Sequence, residues 1–321
     1  MSPKISVIIP VCNIQEYVGP CIESVLTQTY DNLDIIIIND GSTDSSLAIC
    51  EEYASRDNRI KIISQENKGL STARNTGINL ATGSYVSFVE GKDILSPLFI
   101  EVLYNLATSY NADIAQCSYT KIYSQDDEIR SKELLPTTFV FSNGEYIQKL
   151  YNEQYYPTNI VCWNKLYKRE LWSDTRFPEG LLHADEYTIP MLLLSSEKTV
   201  ITTETLYGYM QTNTDTLSAE NQVKRYTSML QTLNERHKIF VEKGMKELAS
   251  MTKLKKAYFL YDLLTIEPQN KKALAEHRKL LFTLLSHPYA SVRFKLSNIM
   301  LSFSPSFYRR YLYFPKASQL N

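Results

Sequence analysis

The sequence predicts an α/β fold in which a mostly parallel sheet is flanked by helices and followed by a C-terminal helical appendage. Two observations predict the sheet. Strand-like and helix-like segments alternate through the first ~95 residues, and the strand-like segments are apolar on both faces. A third observation predicts the appendage, because the sequence changes near residue 222 to long stretches rich in Leu, Lys and Tyr. We therefore expect domains at 1–220 and 221–321.

Runs of β-branched residues ended by Pro, Gly or polar residues indicate the strands, and apolar residues three or four apart indicate the helices. The predicted strands are 5–10, 33–39, 60–64, 85–89, 113–119 and 200–210. The predicted helices are 16–27, 45–56, 71–81, 99–110, 142–151, 186–194, 225–243, 246–265 and 274–285. We expect Thr43 or Asp44 to cap the second helix. Pro190 would fall in the first turns of the helix at 186–194.

Composition narrows the class of protein. The 321 residues carry 34 Lys and Arg against 35 Asp and Glu, so no global charge selects nucleic acid or an anionic membrane. The five cysteines are far apart and form no CxxC pair, which favours a reducing, cytoplasmic location over disulfides or structural zinc. No apolar run of about 18 residues predicts a transmembrane helix, and the N-terminus does not read as a signal peptide.

The segment 83–93, GSYVSFVEGKD, reads as a buried strand that delivers Glu90, Lys92 and Asp93 to its C-terminal end. Polar residues also follow the first strand, at Asn13, and the second, at 40–42. In an open parallel sheet, ligands bind outside the carboxyl ends of the strands, so these groups would converge on one crevice. The alternative is a polar loop that closes a core strand, with Asp93 capping the next helix.

Six segments in order carry a family resemblance. They are VIIPVCN, IIINDGSTDSS, ENKGLSTARNTGI, GSYVSFVEGKD, WNKLYKREL and FPEGLLHADE, which together span about residues 4–215. The chain resembles the inverting glycosyltransferases of family two. The resemblance implies a GT-A fold, which is Rossmann-like, a nucleotide-sugar donor, and a glycan or glycoprotein acceptor. Such bacterial enzymes build surface polysaccharides or decorate secreted adhesins from the cytosolic side.

The resemblance assigns the donor contacts. Pro10, Val11 and Asp40 match the positions that cradle the nucleoside, where the Asp40 carboxylate would accept from uracil. Lys68, Gly69 and Arg74 match the segment that approaches the diphosphate and the base. The alternatives are that Asp40 shapes a turn before a helix and that Arg74 is a surface residue of an amphipathic helix.

The main departure from the family is EGKD at 90–93, where Asp-Ser-Asp-Asp is usual. The resemblance implies that Glu90 contacts the donor sugar or ribose and that Lys92 occupies the usual metal-ligand position. A charged lysine cannot bind a cation. Lys92 could supply the positive charge itself, a Mn²⁺ or Mg²⁺ ion could move to Asp93 and Glu90, or the donor site could be lost. The family's last acid, Asp93 here, is more often structural than a ligand.

On the acceptor side, Asp185 matches the catalytic base, and its alternative role is to cap the helix that follows. Trp163, Asn164 and Lys165 match a stretch that lines the acceptor site, where Trp163 would stack on a sugar or be a buried aromatic residue.

The sequence thus predicts inverting transfer of a hexose or N-acetylhexosamine from a UDP-sugar. The alternative is a catalytically inactive GT-A-like partner of another transferase, for which Lys92 and Ala184, at positions where the family usually has acids, are the arguments. The aromatic and basic residues at 304–316 leave two roles for the C-terminal region, peripheral contact with the inner face of the membrane or a homo-oligomer or protein-acceptor surface. The second is slightly favoured.

Overall fold

The computed structural model describes residues 2–129, 135–151, 156–212 and 219–311. The chain forms two compact units. Met1–Gly180 and Thr188–Asn213 form one, called here the sheet unit, and Leu181–Tyr187 and Thr214–Asn321 form the other, the helical unit. The sequence placed the border near residue 220. The helical unit begins at residue 214 and also takes in the short segment 181–187.

In the described residues, nine strands form one sheet. The strands are β1 Ile5–Val11, β2 Leu33–Asp40, β3 Ile60–Gln65, β4 Tyr85–Phe88, β5 Ile94–Leu95, β6 Ile114–Ile122, β7 Thr138–Ser142, β8 Lys165–Lys168 and β9 Lys198–Met210. Their order in the sheet is β3-β2-β1-β4-β8-β6-β9-β5, with β7 paired to β9.

The first four strands pair in parallel, and the sheet becomes mixed where β8 runs antiparallel to β4. Every residue of β1 and β2 is buried, as expected for central strands that helices cover on both faces. The helices that begin within 1–195 are α1 Val18–Leu26, α2 Ser46–Arg56, α3 Leu70–Leu80, α4 Phe99–Ser109, α5 Asn143–Gln148, α6 Tyr156–Ile160 and α7 Ala184–Ser195. The predicted fold class is confirmed.

Several local predictions were wrong or incomplete, and the predicted cap of α2 at Thr43 or Asp44 was wrong. The N-cap residue of α2 is Ser45. Asp44 precedes it, and the Asp44 carboxylate accepts a 2.9 Å hydrogen bond from the amide of Ser46. Pro190 lies in the middle of α7, because that helix begins two residues before the predicted start. β5 has two residues, too few to produce an alternating pattern in the sequence.

The helical unit contains α8 Ala219–Glu242, α9 Lys246–Ile266, α10 Lys271–Ser286, α11 Val292–Phe303 and α12 Pro305–Tyr311. Its core includes a stacked Tyr258–Phe294 pair, with ring centroids 3.8 Å apart, and a 2.7 Å hydrogen bond between the Tyr261 and Tyr308 hydroxyls. The last two helices were not predicted, and residues 312–316 of the aromatic and basic tail lie outside the described part of the chain. Among the described helices, none combines the length and apolar character needed to cross a bilayer.

Candidate active site

The predicted donor residues of the sheet unit lie at the carboxyl ends of neighbouring parallel strands. Pro10 and Val11 end β1, and Val11 is in register with Asn39 of β2, one residue before Asp40. Ile8 of β1 is in register with Phe88, the last residue of β4, which places Glu90 just beyond the same edge. The topology therefore brings these segments, remote in sequence, to one edge of the sheet.

Asp40 holds the loop before α3. Its buried carboxylate accepts from the amides of Lys68 at 2.9 Å and Gly69 at 2.8 Å, and from the Gln65 side chain at 2.8 Å. A carboxylate has about four acceptor positions, so these three bonds leave one for a further donor. The turn role and the nucleoside role of Asp40 are therefore compatible.

Gly69 shapes the space in front of α3. Its φ is +89°, a conformation that favours glycine, and a Cβ built there would meet no atom within 4 Å. The first backbone amides of α3 follow directly. Gly69 is the N-cap residue of this helix and has no side chain that could accept a hydrogen bond from them. An open helix N-terminus of this kind can bind a phosphate group.

Arg74 is buried on α3 and forms a salt bridge with the Glu90 carboxylate. Its guanidinium also lies over the Phe177 ring, with Cζ 4.9 Å from the centroid. Arg74 is therefore not the exposed residue of an amphipathic helix. It fixes Glu90, whose side chain is 19% exposed, at the edge of the sheet.

Gly91 explains one departure from the family pattern. A Cβ at this position would lie 2.5 Å from Cδ1 of Ile14 and 2.9 Å from the carbonyl oxygen of Pro10. The family's usual serine would not fit this backbone without a shift. Glycine thus lets the 90–93 loop approach the end of β1 closely.

Lys92 points its ammonium towards the face of Tyr209, with Nζ 5.7 Å from the ring centroid. The two carboxylates of this loop are not available as ligands for a divalent ion. Glu90 is paired with Arg74, and Asp93 is fully buried and hydrogen-bonded. In the described part of the chain, no three His, Cys, Asp or Glu side chains form a metal-binding group. The donor set at this loop therefore fits a resident lysine better than a metal ion.

Asp93 is locked into the sheet unit. One carboxylate oxygen accepts from the Tyr207 hydroxyl at 2.7 Å and the other accepts from the Met210 amide at 2.9 Å. Burial raises the pKa of Asp93 to about 7, with the charge of Glu90 adding to the effect. The geometry gives Asp93 the structural role and leaves neither oxygen directed at a ligand.

We expect Asp93 to make stability fall as the pH rises. Its folded-state pKa of about 7 lies above the ordinary 3.8, so between these values the folded chain holds a proton that the unfolded chain has lost. The wild type should lose about 2 kcal/mol more unfolding free energy between about pH 5.5 and pH 8 than Asp93→Asn does. Urea unfolding of both proteins at the two pH values measures this difference. Equal pH dependence in both would contradict the assignment.

The predicted base lies in the helical unit. Asp185 occupies the first turn of α7 and is partly exposed. Its neighbour Glu186 is buried, and its carboxylate contacts Arg236 at 2.9 Å and Lys255 at 3.0 Å. Burial raises the pKa of Glu186, and the charge of Arg236 opposes this effect. Burial also lowers the pKa of His183 to about 4, so this ring is neutral at physiological pH.

The segment 163–165, which resembles the family's acceptor-side stretch, is buried. Trp163 is buried and stacks on Tyr207 and Tyr209, with centroids 4.5 and 5.2 Å away. Lys165 is fully buried and donates to the carbonyls of Thr158 and Val161. The aromatic residues and the lysine therefore stabilise the interior, which is the alternative that the sequence had left open for Trp163.

A polar cleft of about 410 Å³ lies beside Asp113, Lys168 and Glu170. Lys168 is in register with Tyr85, the first residue of β4, so this cleft borders the opposite end of that strand from Glu90. We do not assign it to donor binding.

We call the strand ends that carry Pro10, Val11, Asp40 and Glu90 the donor edge. Sequence reasoning missed two residues that contact it. The Tyr207 hydroxyl accepts from the Glu90 amide at 3.2 Å while it donates to Asp93, and Phe177 packs under Arg74. These contacts join positions 117 and 103 residues apart, so no local pattern could reveal them. The only signal was that Phe177 falls in one of the family segments.

Comparison with known proteins agrees with this fold. Residues 6–175 match the family described as Glycosyl transferase family 2. Glycosyltransferase GlyA of Streptococcus pneumoniae is 39% identical over 211 residues, which are 64% of this chain and 30% of GlyA. Glycosyltransferase GlyG of the same organism is 36% identical over 217 residues, 65% of this chain and 71% of GlyG.

Among solved structures, residues 1–349 of S. aureus TarS in complex with UDP-GlcNAc superpose with a TM-score of 0.66. The alignment covers 96% of this chain and 87% of that one at 17% identity. This likeness concerns the fold. Since the family match covers more than half of the sequence, the chain belongs to glycosyl transferase family 2.

Proposed function

We propose that this chain transfers a hexose or N-acetylhexosamine from a UDP-sugar to a glycan or glycoprotein acceptor, with inversion at the anomeric carbon. The observation that carries the proposal is the Asp40-anchored loop, which presents one remaining acceptor position and an open helix N-terminus at one strand edge. The TarS structure, which contains UDP-GlcNAc, supports the choice of a uridine nucleotide.

Each donor group would meet one part of the UDP-sugar. The remaining acceptor position of Asp40 suits the N3–H of uracil. The first amides of α3 and the ammonium of Lys92 suit the diphosphate, whose negative charge grows as it leaves. Glu90, held by Arg74, suits a hydroxyl of the sugar or ribose.

Asp185 would act as the base. The acceptor hydroxyl gives its proton to the Asp185 carboxylate as its oxygen forms a bond to the anomeric carbon. The bond from that carbon to the β-phosphate oxygen breaks, and UDP leaves with the electron pair. Attack opposite the leaving group inverts the centre, by the same two-face geometry that governs inverting glycosidases.

We place the reaction in the cytoplasm. All five cysteines are free, and four of them are buried, which suits a reducing compartment. The relatives named as glycosyltransferases give no support to the alternative of an inactive partner.

A donor screen tests the proposal together with the role of Lys92. The full chain is incubated with UDP-glucose, UDP-galactose, UDP-GlcNAc and UDP-GalNAc, with GDP-mannose as the nucleotide control, and UDP release is measured with Mn²⁺ or EDTA. We expect release from at least one UDP-sugar, no loss in EDTA, and a rate about a hundredfold lower in Lys92→Ala. Lys121→Ala, an exposed lysine of β6, should match the wild type.

The outcomes separate the alternatives. Turnover that vanishes in EDTA while Lys92→Ala keeps its rate would transfer the charge role to a metal ion. Nucleotide binding without turnover of any donor would favour the non-catalytic partner.

A further inference from the structure

Helix α11 is apolar on both of its faces, and the structure fixes which face is buried. Phe294 and Leu301 enter the core of the helical unit, where Phe294 stacks on Tyr258. On the same side, the buried Asn298 bonds to the ring of His277 at 2.6 Å. These contacts set the rotation of α11 about its own axis.

The opposite face is exposed and apolar. Val292 is 72% exposed, Leu296 55%, Met300 42% and Phe303 81%. At about 100° per residue these four side chains fall within about 80° of one another around the helix, and we call them the α11 stripe. Large exposed apolar faces of this kind on a soluble domain indicate a binding surface. Phe307 in α12, four residues after Phe303, is 56% exposed.

Basic residues flank the stripe on both sides. On the same helical projection, Arg293 lies about 60° from the centre of the stripe on one side and Lys295 about 100° on the other. Arg293 is exposed and Lys295 is partly exposed. This arrangement, apolar in the middle and cationic at both edges, is that of a helix lying in the plane of a membrane interface.

The surrounding charge is strongly asymmetric. Residues 271–321 contain nine Lys and Arg and a single acidic residue, Glu276, whereas the first 270 residues contain 25 Lys and Arg against 34 Asp and Glu. Glu276 itself pairs with Lys256 of α9. The near-zero net charge of the chain therefore hides a cationic C-terminal region, which composition as a whole could not reveal.

The positive charge around the α11 stripe indicates which partner covers it, a second copy of the chain or a lipid surface. A second copy would bring two cationic surfaces together, which is repulsive. An anionic lipid surface complements both the apolar stripe and the basic residues beside it. We propose that α11 docks this chain on an anionic bilayer, with Val292, Leu296, Met300 and Phe303 inserted at the level of the headgroups.

Vesicle sedimentation of the full chain tests this proposal without any assay of transfer. We expect binding to phosphatidylcholine vesicles that contain about a third phosphatidylglycerol, little binding to phosphatidylcholine alone, and weaker binding at high salt. Val292→Ser and Phe303→Ser should each weaken partitioning by about fivefold or more. Arg293→Glu should weaken it by at least about fivefold, since each basic residue near the surface contributes about that factor.

Exposed residues elsewhere in the helical unit provide matched controls. Val241→Ser, at a valine that is 56% exposed near the end of α8, and Lys243→Glu should bind as the wild type does. Circular dichroism of each variant checks that the helices remain. Equal binding to both vesicle types, or unchanged binding in the stripe variants, overturns the proposal. A wild-type dimer that ignores vesicles and dissociates in Phe303→Ser would assign the stripe to a second copy instead.

Discussion

Asp185→Asn should lower kcat for sugar transfer by about 10²–10⁴-fold, the range typical of a lost general base. Asparagine keeps the size and polarity of the side chain but cannot accept the proton of the acceptor hydroxyl. Because Asp185 is partly exposed in the first turn of α7, the substitution should leave folding intact. The donor should still bind, so its KM should change little while kcat falls.

A matched control makes this test specific. Glu179→Gln removes an exposed carboxylate six residues away, and we expect it to retain the wild-type kcat. Both variants are assayed with the donor found in the screen and compared by thermal unfolding. If Asp185→Asn turns over at the wild-type rate, Asp185 is not the base and serves only as a polar residue at the start of α7.

The donor edge shows how far local sequence patterns reach. Strands β1 and β2 could be predicted because their β-branched runs are buried on both faces, and Asp40 could be placed because it directly ends such a run. The bonds that define its environment, to the amides of Lys68 and Gly69, were not predictable from spacing. They depend on how the chain returns after β3, which is a property of the tertiary fold.

The helical unit could be predicted only in part. The sequence identified α8, α9 and α10, which have 24, 21 and 16 residues, but it missed α11, which has 12. Apolar residues lie on both faces of α11, so the sequence alone does not separate the exposed stripe from the buried face, whereas the structure does.

The ion pairs of the helical unit could not be predicted from the sequence either. Glu186 follows the predicted base directly in sequence, but Arg236 and Lys255 lie 50 and 69 residues further along. The Arg236 guanidinium contacts both the Glu186 carboxylate and, at 3.2 Å, its backbone carbonyl. Pro190 has no N–H and cannot donate to that carbonyl as an ordinary residue of α7 would. Arg236 therefore supplies a hydrogen bond that the proline removes from the helix.

Arg236→Met should reduce the unfolding free energy by about 3–5 kcal/mol, the usual cost of breaking a buried ion pair from one side. Arg236 is 1% exposed and Glu186 5%, so water cannot replace the lost partner. Lys255 remains beside the Glu186 carboxylate in this variant. Because burial lowers the pKa of the Lys255 amine, Lys255 alone neutralises the carboxylate less well than the two basic residues together. Urea unfolding of the wild type and the variant measures the loss.

A surface control and a double-mutant cycle separate the contribution of the buried ion pair from that of packing. Lys238→Ala removes the exposed partner of Glu235 and should cost at most about 0.5 kcal/mol. Glu186→Gln combined with Arg236→Met should cost less than the sum of the two single changes, because the first removes the charge that the second leaves unpaired. Strictly additive losses would mean that Arg236 stabilises the unit only through its hydrocarbon stem. In the folded fraction of Arg236→Met, kcat should also fall, since the first turn of α7 that carries Asp185 loses the contact that fixes it.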